Sequence, residues 1–129
     1  TRSSSGSRKD ALCRQIELLG QLTGATVEHS GDYPAWEYNP NSRLQPLFES
    51  AYRDLFGKDA RVEGIHAGLE CGLFAEKFKN LGRDMDFLSF GPEVTGAHST
   101  SESLSLSSAE RTWNLLLEVL GRIGREFRN

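Results

Sequence analysis

IHAGLECGLF, residues 65–74, indicates more about this chain than any other segment, and FGPEVTGAHS, residues 90–99, is its companion. Each segment sets glycines beside a polar or ionisable residue at the point where an apolar run ends. Ligand-binding loops commonly have this composition, because a rigid strand ends there and the following turn approaches the ligand closely. We therefore expect both segments to form loops at the edge of a sheet, facing a binding site.

The composition is that of one soluble globular domain. The chain has 129 residues, of which 37% are hydrophobic and 26% are charged, which is enough to bury a single core. The net charge of -3 argues against a nucleic-acid surface, which would need a basic stripe. No apolar run approaches the roughly 20 residues of a membrane span. We expect neither a nucleic-acid nor a membrane partner, and reduced thiols at Cys13 and Cys71 in a cytoplasmic protein.

Helices and strands are predicted to alternate along the chain. Apolar residues recur at helical spacing in four segments, which begin near Ser7, Ser42, Cys71 and Ser107. Three short strand candidates, residues 25–29, 61–66 and 86–90, separate them. This alternation predicts an α/β fold in which helices pack on a mostly parallel sheet. The last helix is expected to bury one apolar stripe against that sheet: Trp113, Leu116, Leu117, Leu120 and Ile123.

His98 is the strongest candidate for a functional residue. It follows the predicted strand end at Gly91 in a loop of small residues without apolar cover. A single histidine is more often structural or simply exposed, and that alternative stays open from the residues alone. Neutral imidazole is, however, the commonest nitrogen ligand of zinc, and loops at a sheet edge hold such ligands.

Four other residues carry weaker indications. His66 and Glu70 have the spacing of a helical metal pair, but the neighbouring glycines disfavour a helix there. The glycines instead indicate a backbone that approaches a ligand, with amides at the start of the next helix able to hold a carboxylate. A tight strand-to-helix turn in which Glu70 caps nearby amides is the slightly better interpretation from the residues alone. Cys71 has no partner that would mark it as a nucleophile, so a structural thiol is favoured. Arg2 could clamp a carboxylate bidentately, or be a solvated side chain near a chain end.

The two glycine segments resemble blocks of the aminoacyl-histidine dipeptidases, also called Xaa-His or cytosol non-specific dipeptidases. Residues 64–74 are similar to one block, and residues 89–92 with 96–99 to the next block, in the same order and at similar spacing. Residues 2–4 and 31–36 resemble two upstream blocks. The resemblance therefore extends along essentially the whole chain. These enzymes share a superfamily with carnosinase and aminoacylase.

The resemblance implies a two-domain metallopeptidase that hydrolyses dipeptides such as Xaa-His with two zinc ions, a bridging water and a glutamate base. By position, His98 resembles the last metal ligand of the family. Gly72 resembles a glycine whose backbone contacts substrate, and Arg2 resembles a lid arginine that binds the substrate carboxylate. Glu70 is a substrate-binding candidate by its place in the motif, without a specific role.

The remaining ligands and the base have no match in this chain, which resembles the C-terminal segment of such an enzyme. The resemblance implies that residues 1–31 end a lid domain and that residues 32–129 form the last part of the catalytic domain. We expect the isolated chain to be inactive and to retain no zinc, while the parent enzyme acts on dipeptides in the cytoplasm, possibly as a homodimer. The alternative is a non-catalytic binding or interaction domain derived from such a peptidase.

Overall fold

The computed structural model describes residues 2–65 and 68–126, and within them the chain is helix-rich. Its elements, in order, are α1 (Gly6–Thr23), α2 (Leu44–Phe56), α3 (Glu70–Asn80), β1 (Val94–Thr95), β2 (Ser103–Leu104) and α4 (Leu106–Glu126). The chain divides into two compact units. The first comprises Thr1–Asn41 and Val62–Phe87 in their described parts, and the second comprises Ser42–Arg61 and Leu88–Asn129 in theirs.

Helix α1 of the first unit begins and ends with identifiable caps. It starts at Gly6, slightly before the predicted position near Ser7, and the Ser5 side chain makes no capping hydrogen bond. The Gly6 amide instead donates to Oε1 of Glu37, 3.0 Å away, so a carboxylate distant in sequence satisfies one of the free amides at the helix N-terminus. Gly24 ends the helix in the left-handed conformation, at φ 72°, as its position after the apolar stripe predicted.

The second unit is built from α2 and α4, which pack against each other. Ala51 of α2 and Leu115 and Val119 of α4 are the buried hydrophobic residues of this core. Phe48, Tyr52, Phe56 and Ile123 pack around them. Gly57 ends α2 at φ 68°, again at the predicted position.

Arg122 joins the two helices of this core through polar contacts. Its guanidinium donates to Oδ2 of Asp54 at 2.8 Å, to Oγ of Ser50 at 2.9 Å and to Oε1 of Glu118 at 2.8 Å. The carboxylates of Asp54 and Glu118 raise the pKa of the Arg122 guanidinium further above its already high ordinary value. Planar guanidinium groups suit such multiple contacts, because their donors diverge in a fixed fork.

The described strands form a two-stranded antiparallel sheet. Val94 pairs with Leu104 and Thr95 with Ser103, so β1 and β2 make a short hairpin. The segments predicted as parallel strands, 25–29, 61–65 and 86–90, are not strands in the described residues, and residue 66 lies outside them. A strand is defined by a hydrogen-bonded ladder with a neighbouring strand, and the ladder that the described residues form joins β1 and β2, not these segments. The parallel sheet therefore stays a prediction about a longer chain.

The prediction for the buried side of α4 was correct only in part. Leu116 and Ile123 are half-buried, and Ile123 packs on the core. Trp113 is 58% exposed, Leu117 50% and Leu120 53%, whereas Leu115 and Val119 are buried. At roughly 100° per residue, the apolar residues of α4 cover an arc of about 200°, wider than one packed face. Helix α2 covers only one part of that arc, which explains why Trp113, Leu117 and Leu120 stay exposed. Within the described residues, no helix is long and apolar enough to cross a membrane.

Candidate functional site

In the first unit, Arg2 lies over the ring of Tyr33. Its Cζ atom is 5.1 Å from the ring centroid, which is within the range of a cation–π interaction. A Cβ atom on Gly68 would lie 2.8 Å from Nη1 of Arg2 and 2.9 Å from the Tyr33 ring. Only glycine fits this position without displacing both side chains. The structure thus brings the candidate Arg2 beside the glycine segment that the sequence singled out.

A lysine of α1 fixes the segment that carries Tyr33. Nζ of Lys9 donates to Oδ1 of Asp32 at 2.7 Å and to the main-chain oxygen of Tyr33 at 2.9 Å. The hydrogen bond from Lys9, together with its charge, lowers the pKa of the Asp32 carboxyl below its ordinary value. Asp32 is therefore ionised at neutral pH. Its carboxylate holds the Lys9 ammonium group beside the main chain of Tyr33, whose ring contacts Arg2.

Gly72 lies buried in the first turn of α3, beneath the chain at Pro34. A Cβ atom at this position would lie 2.9 Å from the main-chain oxygen of Pro34 and 3.6 Å from Cβ of Trp36. The contact is with backbone, which cannot swing aside as a side chain can. Two of the sequence blocks, residues 31–36 and the glycine segment, therefore pack directly on each other.

Glu70 and Cys71 open helix α3. Glu70 is exposed in the first turn, where its negative charge is favoured by the helix dipole. Cys71 is partly buried, and this burial, with a smaller contribution from the Glu70 charge, raises the pKa of its thiol. A thiol with a raised pKa is a poor nucleophile at neutral pH, which supports a structural role for Cys71. His66 lies outside the described residues.

His98 belongs to the second unit, in the loop of the β1–β2 hairpin. It is exposed and has φ 64°, a left-handed backbone conformation that few residues other than glycine adopt. Its amide donates to Oε2 of Glu102 at 2.7 Å. The hydroxyl of Ser99 donates to the oxygen of Gly96 at 2.6 Å. The loop is thereby closed on itself, with the imidazole carried by a constrained backbone.

The base of this hairpin is anchored to the start of α4. The Ser105 amide donates to the oxygen of Glu93 at 3.0 Å, and the Glu93 amide donates to Oγ of Ser108 at 2.8 Å. Ser108 is buried. The His98 loop therefore has a fixed origin on the second unit.

Zinc requires three or more protein ligands, usually histidine, cysteine or carboxylate. No three such residues converge in the part of the chain that the structure describes. The described residues therefore do not fit a complete zinc centre, and no reaction step at a metal is derived from them. His98 supplies one exposed imidazole, which is one of the ligand types that a zinc centre uses.

Two features escaped the sequence analysis. Glu102 holds the His98 amide, and its place four residues beyond the histidine in a polar loop was the available signal.

An apolar groove of about 560 Å³ in the second unit is lined by residues that include Phe48, Tyr52, Leu88, Phe90 and Leu115. The ring centroids of Phe48 and Phe90 are 4.6 Å apart. The walls of this groove come from three separate segments of the chain, so no local sequence pattern reveals the groove.

Known proteins were compared with the chain in sequence and in structure. No protein-family model matches it. The cytosol non-specific dipeptidase of Escherichia coli (strain K12) is 40% identical over 122 residues, which are 95% of this chain and 24% of that protein. The crystal structure of aminoacylhistidine dipeptidase from Vibrio alginolyticus superposes with a TM-score of 0.74 at 32% identity, covering 93% of this chain and 24% of that one. The resemblance to the aminoacyl-histidine dipeptidases is thus confirmed along almost the whole chain, which corresponds to about a quarter of such an enzyme.

Proposed function

We propose that this chain is part of a zinc-dependent dipeptidase that hydrolyses Xaa-His and other dipeptides through a metal-bridged water. The observation that carries the proposal is the 40% identity to a dipeptidase over 95% of the chain. The name of that relative also supports a cytoplasmic location. In this proposal the first 31 residues end a lid domain, the rest belongs to the catalytic domain, and the complete enzyme is a homodimer.

Arg2 is proposed to bind the carboxylate of the dipeptide. Guanidinium and carboxylate match in a bidentate geometry, and the Tyr33 ring beneath Arg2 would restrict its rotamers. Because Gly68 has no side chain, Nη1 of Arg2 can occupy the space beside it. Gly72 would contribute backbone contacts to the same ligand, with Glu70 beside it at the start of α3. The close approach of Pro34 to Gly72 supports a rigid turn at this place.

His98 is proposed as one zinc ligand, with the others supplied by parts of the enzyme that this chain does not match. Its exposure leaves the imidazole accessible, and the hydrogen bond to Glu102 restricts the loop before metal binds. Zinc would polarise the scissile carbonyl and activate a water. The contribution of this chain is to hold the imidazole and to orient the dipeptide.

The test is a chimera in which this chain replaces the matched 122 residues of the E. coli relative. We expect His98→Ala to abolish hydrolysis of a Xaa-His dipeptide and to reduce the zinc content measured by elemental analysis. His29→Ala is the matched control, since His29 is an exposed histidine that pairs with Glu17 at 2.9 Å. A His98→Ala chimera with full activity and full zinc would refute the metal assignment.

The arginine is tested in the same chimera. We expect Arg2→Ala to lower kcat/KM for dipeptides by about 10- to 100-fold, because a hydrogen-bonded charge pair is lost. A dipeptide amide, which lacks the carboxylate, should show no difference between the two forms. An equal loss for both substrates would show that Arg2 does not recognise the carboxylate.

A further inference from the structure

The main chain around Tyr33 is held by two helices of the first unit. From α1, Nζ of Lys9 donates to the main-chain oxygen of Tyr33 at 2.9 Å and to Oδ1 of Asp32 at 2.7 Å. The Tyr33 amide donates to the same Asp32 oxygen at 2.9 Å. From α3, Gly72 approaches the main chain of Pro34, the next residue, so closely that a Cβ atom would lie 2.9 Å from its oxygen. The position of the Tyr33 ring is therefore fixed through its main chain.

Lys9 differs from an ordinary surface lysine. Its side chain is only 12% exposed, whereas that of Asp32 is 84% exposed. Such burial costs hydration and rotamer freedom, which one carboxylate and one main-chain carbonyl offset here. The lowered pKa of the Asp32 carboxyl comes first from its hydrogen bond with Lys9, and Arg2 contributes least to it. Asp32 is therefore the partner of Lys9 and not of Arg2.

The guanidinium of Arg2 has an aromatic partner instead. Its Cζ atom lies 5.1 Å from the centroid of the Tyr33 ring. Arg2 is exposed, whereas Tyr33 is half-buried. A neutral ring attracts a cation without neutralising its charge. A carboxylate in the place of the ring would compete with an anionic ligand, and the ring does not.

Gly68 narrows the space around this pair. A Cβ atom on Gly68 would lie 2.8 Å from Nη1 of Arg2 and 2.9 Å from Cγ of Tyr33. The arginine, the ring and the glycine main chain thus meet at one point. A guanidinium between a ring and a main chain has fewer rotamers than one on a free surface, so less conformational entropy remains to be lost when a ligand binds.

We infer that Tyr33 and Lys9 are positioning residues: the Tyr33 ring holds Arg2 in place for the carboxylate of the dipeptide, and Lys9 holds the main chain that carries the ring. The identity of the ligand rests on the proposed function. Neither residue needs to contact the dipeptide, because each acts through Arg2. Fixing the guanidinium before the substrate arrives favours binding, since the ordering cost is already met.

The first measurement uses the isolated chain and does not depend on activity. The order parameter of the Arg2 Nε–H bond is obtained from ¹⁵N relaxation, with the exposed Arg14 of α1 as an internal reference. We expect Tyr33→Leu to lower the Arg2 value by about 0.2 or more, toward that of a flexible side chain. Tyr33→Phe keeps the ring and should keep the order. Tyr38→Leu is the matched control, because Tyr38 is 69% exposed in the same unit.

Lys9→Met tests the support of the ring. Methionine is similar in length to lysine but has no ammonium donors, so the main-chain oxygen of Tyr33 loses its partner. We expect the Arg2 order parameter to fall in the same direction as in Tyr33→Leu, by a smaller amount. Helix content measured by circular dichroism shows whether each variant is folded.

The second measurement is hydrolysis by the chimera with the E. coli relative. We expect Tyr33→Leu to lower kcat/KM for a dipeptide by about 2- to 30-fold, the range of a cation–π contact. A dipeptide amide, which lacks the carboxylate, should be hydrolysed equally by both forms. When Arg2→Ala is already present, Tyr33→Leu should cause no further loss, because its effect passes through Arg2. A tyrosine that only stabilised the fold would affect both substrates alike.

Three results would overturn the inference: an unchanged Arg2 order parameter in a folded Tyr33→Leu chain, equal losses for the dipeptide and its amide, or a loss that adds to that of Arg2→Ala. If Tyr33→Leu does not fold, Lys9→Met decides by the same readouts. A folded Lys9→Met chain without any effect would overturn the role of Lys9 in either case. A parent chimera that hydrolyses no dipeptide would count against the proposed function alone, since the order parameter still decides whether Tyr33 positions Arg2.

Discussion

At the scale of single residues, His98 shows how the contacts of a hairpin loop can constrain one backbone position. A residue with positive φ lies in a sparsely populated conformation, and such conformations persist only where neighbouring contacts enforce them. The hydrogen bond from the His98 amide to Glu102 is such a contact. The conformational cost of this backbone geometry is therefore met within the loop.

Glu102→Ala should loosen this loop. Removing the carboxylate leaves the His98 amide without its acceptor, and we expect hydrogen exchange at that amide to become about 2- to 10-fold faster. NMR-detected exchange at single residues would measure it. Glu102→Gln retains an acceptor oxygen and should lie close to the parent protein. Unchanged protection in the alanine variant would show that the loop is held by its other contacts.

Cys71 should react slowly with alkylating reagents at neutral pH. Burial raises the pKa of its thiol, so the reactive thiolate appears only at higher pH than in an unfolded peptide. In a Cys13→Ser background, the pH midpoint of iodoacetamide labelling should therefore lie higher for the folded chain than for the chain in urea. A folded midpoint at or below the unfolded one would contradict the burial argument.

At the scale of elements, the two capping glycines and the polar N-terminal signals made the helices predictable. Gly24 and Gly57 occupy left-handed positions where the apolar periodicity ends. Ser42 was recognised as a start signal, and its hydroxyl accepts the Gln45 amide at 3.0 Å. These features are local in sequence, and a local pattern reports them directly.

Strand pairing and the buried side of α4 were not predictable in the same way. Both depend on which neighbour is present, and the helical period gives only the direction of the apolar arc. Trp113 and Leu117 lie within that arc, yet α2 covers Leu115 and Val119 instead. Of the candidate site, the glycine positions were indicated by sequence. The contacts of Arg2 with Tyr33, and of His98 with Glu102, required coordinates.

Glycine substitutions in two helices should have opposite effects. Gly72→Ala forces a methyl group against the Pro34 oxygen, and we expect a loss of about 1–3 kcal/mol in the free energy of unfolding. Gly121→Ala in α4 meets only the end of Arg125 at 3.5 Å. It should stabilise by about 0.5–1 kcal/mol through helix propensity.

Urea denaturation followed by circular dichroism would measure both changes. The pair serves as its own control, because the same methyl group is added to a helix in each case. A Gly72→Ala chain as stable as Gly121→Ala would show that the Pro34 segment moves away easily, and that the turn is not rigid.

At the scale of the whole molecule, the chain corresponds to one quarter of its relatives. We expect no hydrolysis of a Xaa-His dipeptide by the isolated 129 residues, even with added zinc, because a two-metal site needs more ligands than His98 supplies. A chelator-sensitive activity in the purified chain would contradict this expectation. Stoichiometric zinc found by elemental analysis would mean that His98 has partners within these residues.

The apolar residues that stay exposed on α4 also bear on the fate of the chain in a cell: Leu106, Trp113, Leu117 and Leu120. Exposed rows of leucine and tryptophan are the surfaces that chaperones hold and that proteases gain access to. A translation product consisting of these residues alone would display Trp113 and Leu117 continuously. Its abundance would then depend on surveillance of unassembled polypeptides as well as on the thermodynamic stability of its own small core.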